Sequence, residues 1–350
     1  MRRIKNLFVT IILLCSVLLT SCSPIEDSQI FNKSEGNDKL MIGMSFDSFI
    51  IERWTRDRDV FVSVAKELGA DVNVQNANGN LEEQRKQIRY LIDEGVDVLV
   101  IIAIDGYGLS DEVKLAKENK IKVIAYDRLI CNADVDLYIS FDNNRVGELM
   151  GEALVAADPE NKNVLVLGGS DLDNNVNLVE QGFEKVLSEN GMKVIDKMHA
   201  AGWKAELAAE YVREHPDKVY DCGAIMCGND NLASQVVPVL AEMRLAGTIE
   251  VVGQDADVEA CQRIVEGTQL MTVYKPVERL AGRAAECAIA LASGKNLDSE
   301  SDYKTMNDGK YDVPYIALEP ITVNKDNMDD VIINSGFHQK EDVYLNVVAD

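Results

Sequence analysis

Two tryptophans, two arginines, a lysine and a set of aspartates and asparagines stand where this sequence could do chemistry. Each group follows a short β-rich run. They occur as Asp47 with Glu52-Arg53-Trp54, as Tyr126-Asp127-Arg128 and as Asp171-Leu172-Asp173-Asn174-Asn175. Further on come Gly228-Asn229-Asp230, Gly253-Gln254-Asp255-Ala256-Asp257 and Tyr274-Lys275-Pro276, with Trp203 after the run Lys193–Met198. The inventory holds no nucleophile–histidine pair and no glycine loop to cradle a phosphate. Asp accepts hydrogen bonds, Arg and Lys donate, and Asn does both, so vicinal hydroxyls of an uncharged sugar could be gripped in bidentate fashion. The CH-rich faces of a pyranose need flat apolar cover, and Trp54 and Trp203 are the two tryptophans of the chain.

Asp and Asn also serve as turn residues and helix caps, and Asn174, Asp230 and Asp257 are assigned to that duty. Asp171-x-Asp173-x-Asn175 imitates the opening of an EF-hand calcium loop. That loop needs glycine at its sixth position and a bidentate glutamate at its twelfth, where this chain has Val176 and Gly182. His199, His215 and His338 lie far from one another and from any cysteine, so neither a metal nor a cofactor is expected.

Positioning these groups falls to alternating strands and helices. Strands are expected at Met41–Phe46, Asp71–Gln75, Val96–Ala103, Lys122–Tyr126, Leu137–Phe141, Val164–Gly168, Cys222–Cys227, Glu250–Gly253 and Leu270–Tyr274. Runs such as Val98-Leu99-Val100-Ile101-Ile102 are apolar throughout, as parallel strands covered on both faces must be. Phe61, Val64, Ala65 and Leu68 keep helical spacing up to Gly69, and Ile88, Leu91 and Ile92 do so up to Gly95. This alternation predicts right-handed βαβ units in an open, doubly wound sheet, whose ligands bind beyond the carboxyl ends of the strands. After an export segment and tether, about 310 residues remain, a length that suits two lobes.

The beginning of the chain sets the compartment. Arg2, Arg3 and Lys5 precede an apolar run from Leu7 through Leu19 that is too short to span a membrane, then Leu19-Thr20-Ser21-Cys22. Residues 1–21 read as a signal peptide resembling a lipobox, with Cys22 the expected site of lipidation. Residues 22–38 are polar, without apolar periodicity, and read as a tether. The expected location is extracytoplasmic, anchored to the membrane. Formal charge is −24, spread over mixed-sign faces such as Glu82-Glu83-Gln84-Arg85-Lys86, which sets nucleic-acid binding aside. Cys131, Cys222, Cys227, Cys261 and Cys287 are odd in number, lack CxxC spacing and read as small buried side chains.

The motifs taken together resemble the D-xylose-binding proteins of bacterial ABC transporters, within the type I periplasmic binding protein family. They include Glu52-Arg53-Trp54, Gln75-Asn76-Ala77-Asn78-Gly79-Asn80, Ala125-Tyr126-Asp127-Arg128, Asp173-Asn174-Asn175, Gly253-Gln254-Asp255-Ala256-Asp257, Met271-Thr272-Val273-Tyr274-Lys275-Pro276 and Gly336-Phe337-His338. Asp171, the approach His199-Ala200-Ala201-Gly202 and Gly228 depart from the family pattern. The resemblance implies an α/β fold of two Rossmann-like, doubly wound lobes joined by a three-strand hinge. Residues 39–143 with 274–318 would form the first lobe and 144–273 with 319–340 the second. Crossings are expected near Asp142–Arg145, Gly267–Val273 and Leu318–Thr322. It further implies a sugar held by Arg53, Arg128, Asp173, Asn175, Asn229, Asp255 and Lys275 between the rings of Trp54 and Trp203, with D-xylose the expected ligand. The implied partner is a membrane permease, with a membrane histidine kinase as the alternative. A two-lobe transcription regulator would need a helix-turn-helix where the export segment stands. A glycosidase using Asp173 and Asp255 is the remaining alternative, and the expectation is a binder without catalytic residues.

Overall fold

The computed structural model describes residues 39–295, 297 and 303–347. The export segment, Cys22 and the tether lie outside the described residues. Strands β1 to β5 are Met41–Phe46, Asp71–Asn76, Val98–Ile101, Lys122–Tyr126 and Leu137–Phe141. Strands β6 to β10 are Asn163–Gly168, Lys193–His199, Ala224–Cys227, Glu250–Gln254 and Met271–Tyr274. Strands β11 to β13 are Tyr303–Asn307, Asp312–Leu318 and Ile321–Val323.

They form two sheets, ordered β11-β12-β5-β4-β3-β1-β2 and β13-β10-β9-β8-β6-β7. Each is parallel except at one edge, where β11 runs antiparallel to β12 and β13 to β10. In β3 the four residues Val98, Leu99, Val100 and Ile101 are all buried, between β1 and β4 and beneath helices on both faces. Burial on both sides is why that run shows no polar alternation. The expected strand Val96–Ala103 shortens to these four paired residues.

Helices carry the chain between strands. Asn80 caps Leu81–Asp93 by accepting from the Glu83 amide at 3.1 Å, and Asp142 caps Asn143–Ala157 through the Arg145 amide at 3.1 Å. The helix Asn143–Ala157 packs on Asn174–Glu189. Gly147 and Gly182 are the reason these helices pack so closely. A Cβ at Gly147 would strike the Val179 carbonyl, and one at Gly182 the Asn144 carbonyl.

The chain passes between the lobes three times. It leaves β5 at Asp142, crosses back at Lys275-Pro276 into the helix Val277–Ala292, and crosses again at Glu319-Pro320 between β12 and β13. The middle passage lies beyond the expected segment Gly267–Val273. Met271–Tyr274 is paired to β9 and β13 and so belongs to the second sheet. Sequence reading also missed the hairpin β11–β12. One contiguous buried apolar cluster runs through both lobes and includes Trp54, Val176 and Trp203 at the seam. The five cysteines of the body are buried, as their type suggests. Among the described residues no helix is long and apolar enough to cross a membrane.

Candidate functional site

The carboxyl ends of β1 and β4 in one sheet face those of β6, β8 and β9 in the other across a cavity. All nine residues singled out in the sequence line it: Arg53, Trp54, Arg128, Asp173, Asn175, Trp203, Asn229, Asp255 and Lys275. Each is buried.

The first lobe supplies a charged cradle. Arg53 opens the helix Arg53–Glu67, and its Nε and Nη2 donate to Asp57 at 3.1 and 3.0 Å, a bidentate fork at i,i+4 spacing. Its Nη1 donates to Asp127 Oδ2 at 3.0 Å. Asp57 also accepts from the Tyr126 hydroxyl. Arg128 Nη1 donates to Asp47 Oδ2 at 2.8 Å and to the Ala103 carbonyl at 3.0 Å. Trp54 packs edge-on to Phe46, with the Arg53 guanidinium 4.7 Å from its ring centre.

The second lobe closes the ring of contacts. Asp173 Oδ2 lies 2.8 Å from Arg128 Nε. Asn175 Nδ2 donates to the Asp127 carbonyl at 2.9 Å, and its Oδ1 accepts from the Tyr138 hydroxyl at 3.1 Å. Asp255 Oδ1 sits 3.4 Å from Lys275 Nζ and 3.9 Å from Arg53 Nη1, charge pairs that lack hydrogen-bond geometry. Trp203 lies flat over Gly169, where a Cβ would run into its six-membered ring. Asp127, Trp203 and Asp255 all hold positive φ (62°, 59° and 97°), strain of the kind kept where the surroundings over-determine a side chain's aim.

The electrostatics are tightly balanced. Burial pushes the carboxyls of Asp47, Asp57 and Asp173 above their ordinary range against the pull of their arginine partners. Burial pushes Asp127 the same way, but Arg53, Lys275 and Arg128 together outweigh it and hold that carboxyl low. Burial also opposes the charges of Arg53 and Arg128, and the surrounding carboxylates more than compensate. Each of the three cations has a carboxylate within 4 Å. An anionic ligand would therefore find no spare positive charge. Four buried atoms of the lining remain without a hydrogen-bond partner: Trp54 Nε1 and Trp203 Nε1, which donate, and Gln254 Oε1 and Asp255 Oδ1, which accept. Orphaned donors and acceptors on residues that line one cavity, with charge already satisfied, suit a small molecule rich in hydroxyls.

Two of the expected caps move by one residue, and the third, Asp257, holds the N-cap position without a side-chain bond. Asp173 and Asn229 do the capping, accepting from the Asn175 and Leu232 amides at 3.0 and 2.9 Å, while they also line the cavity. Asn174 and Asp230 are the first helical residues, and Asp257 precedes its helix without a side-chain cap bond. Asp230 is instead buried beneath the loop 253–257, accepting from Thr272 Oγ1 at 2.6 Å and Gln269 Nε2 at 2.8 Å. Asp57 and Tyr138 were not singled out in the sequence, and Asp47, Asp127 and Gln254 stood in its strand-end groups without being assigned to the ligand. The i,i+4 spacing of Arg53 and Asp57 could have revealed one of them.

Known proteins resemble this chain over most of its length. Residues 42–296 match the periplasmic binding protein domain family. The chain is 42% identical over 336 residues to the D-xylose-binding periplasmic protein of Escherichia coli (strain K12), covering 94% of this chain and 99% of that protein. A D-xylose-binding periplasmic protein of Haemophilus influenzae is 41% identical over 320 residues, 90% of this chain and 95% of its own. Among solved structures, an ABC transporter solute binding protein from Clostridium phytofermentans with bound β-D-glucose superposes with a TM-score of 0.78 at 27% identity. That match covers 87% of this chain and 99% of the other.

Proposed function

The chain belongs to the periplasmic binding protein family, and from that premise we propose that it captures D-xylose outside the cytoplasm and delivers it to an ABC sugar permease. It is a binding protein, not an enzyme. The observation that carries the reading is the cavity itself. Nine polar and aromatic residues from both lobes converge on it, its cations are neutralised internally, and its orphaned donors and acceptors match hydroxyl groups. Xylose in particular is favoured by the two D-xylose-binding relatives, each more than 40% identical over most of its length.

In this reading the sugar first meets one lobe, the three crossings bend, and the second lobe completes the hydrogen-bond set while water leaves. Ligand shifts the balance toward the closed form only through contacts that the open form cannot make. Asp173 and Asn175, reaching across to Arg128 and Asp127, are such contacts. A lipid on Cys22 would keep the protein beside its permease, and a diacylglycerol mass on the mature amino terminus would report it. Uptake of labelled D-xylose by cells lacking this protein tests the transport role. Uptake should fall sharply and return with the restored gene, and undiminished uptake would contradict the proposal.

A further inference from the structure

Gln254 is the last residue of β9, 5% exposed, and lines the cavity beside Asp255. Its Nε2 donates to the Gly228 carbonyl at 2.6 Å. A carbonyl can only accept, so chemistry fixes which end of the amide faces Gly228. Oε1 is left buried with no hydrogen-bond partner. The backbone that carries it is pinned. Gln254 pairs with Val273 of β10, and the neighbouring Gly253 lies so close to Asp230 Oδ1 that a Cβ there could not be accommodated. On the other side β8 has already ended, its last pairing with β9 being Met226 to Val252. The side-chain bond to Gly228 takes over where the ladder stops and ties the turn bearing Asn229 to the strand bearing Asp255.

We propose that Gln254 is a specificity-determining residue of the sugar site, its Oε1 accepting a hydrogen bond from one ring hydroxyl of the bound sugar. The inference rests on the xylose reading above and deepens it. Because the amide cannot turn without losing Gly228, Oε1 demands a donor at one fixed place. A sugar that lacks that hydroxyl leaves a buried acceptor unpaired and is rejected strongly, in the way sites built to bind a hydroxyl reject its absence.

The test is a cycle between side chain and ligand. The full chain and its Gln254→Met variant are titrated calorimetrically with D-xylose and with each of its monodeoxy analogues. The substitution should weaken xylose about tenfold or more, and weaken one deoxy sugar hardly at all, because the partner hydroxyl is already gone. In the unsubstituted chain, the side-chain amide resonances of Gln254 should shift on adding xylose and not on adding that same deoxy sugar. This readout survives even if the variant folds poorly. Equal losses for every sugar, or a Gln254 amide blind to all of them, would reduce the residue to a brace for the Asn229 turn and overturn the inference alone. Failure of the unsubstituted chain to bind xylose would overturn the ligand reading and this inference together.

Discussion

Arg128 and Asp173 meet across the two lobes, Nε to Oδ2 at 2.8 Å, while the same guanidinium keeps Asp47 within its own lobe at 2.8 Å. Opening the cleft would take Asp173 away without leaving Arg128 uncompensated. Asp173 in turn retains its cap bond to the Asn175 amide. In the proposed capture cycle the pair is a link that would break at modest cost.

Asp173→Asn tests that link. Asparagine caps helices as well as aspartate, so the melting temperature without sugar should barely move. Loss of the buried charge pair with Arg128 should weaken xylose binding by about 2 kcal/mol or more, tenfold or more, in calorimetry. A collapse of stability with affinity intact would make the residue structural.

Arg53 and Asp255 should behave differently from each other. Removing the Arg53 guanidinium strands Asp57 and Asp127, both buried, so Arg53→Ala should cost about 3–5 kcal/mol of stability besides weakening the sugar. Asp255 Oδ1 makes no hydrogen bond in the protein and its removal strands one buried cation, Lys275, where Arg53→Ala strands two buried carboxylates, so Asp255→Ala should reduce affinity at least tenfold with a smaller drop in melting temperature than Arg53→Ala. Thermal scans of the two variants should separate them, and equal destabilisation would contradict the assignment.

Gly169→Ala should act on Trp203 without touching its chemistry. The added methyl group would collide with the indole, forcing the ring off its seat. Sugar affinity should fall about tenfold, and the response of tryptophan emission to xylose should shrink, since Trp203 no longer covers the ligand. An unaltered titration would place the ring elsewhere.

The Asp230 carboxyl gives a pH signature. Burial, with the Asp255 charge adding to it, raises it to about 7, against the pull of Thr272, Arg263 and Gln269; Asp257, close by, is raised as well. The folded protein therefore holds protons here that the unfolded chain releases. That stabilisation is complete below about pH 4 and is lost as pH rises through about 7. The melting temperature should fall between about pH 4 and about pH 7, and Asp230→Asn should flatten the fall. Parallel profiles for the two proteins would disprove the contribution.

Much of the candidate site was legible because parallel sheets deliver ligand groups at strand ends, and Arg53, Arg128, Trp203 and Lys275 are conspicuous in the segments that follow β-rich runs. The counter-charges were less visible. Asp57 lies inside a helix among other charged residues, and only the folded chain shows it buried against Arg53. A cap residue can line the cavity as well, as Asp173 and Asn229 do. The hairpin β11–β12 escaped because an exposed antiparallel edge strand such as Tyr303-Lys304-Thr305-Met306-Asn307 carries little apolar signal. Gln254 escaped because an amide looks unremarkable until its unpaired oxygen is seen.

The most direct test of the account is a calorimetric panel of monosaccharides on the full chain. Xylose lacks the exocyclic hydroxymethyl group of glucose, and in the proposed reading Trp54 and Trp203 would exclude that group sterically. Ribose and arabinose differ in hydroxyl orientation, which strands buried partners such as Asp255. D-Xylose should bind most tightly, ahead of ribose and arabinose by a clear margin and ahead of glucose by orders of magnitude. Glucose or ribose binding at least as tightly as xylose would contradict it.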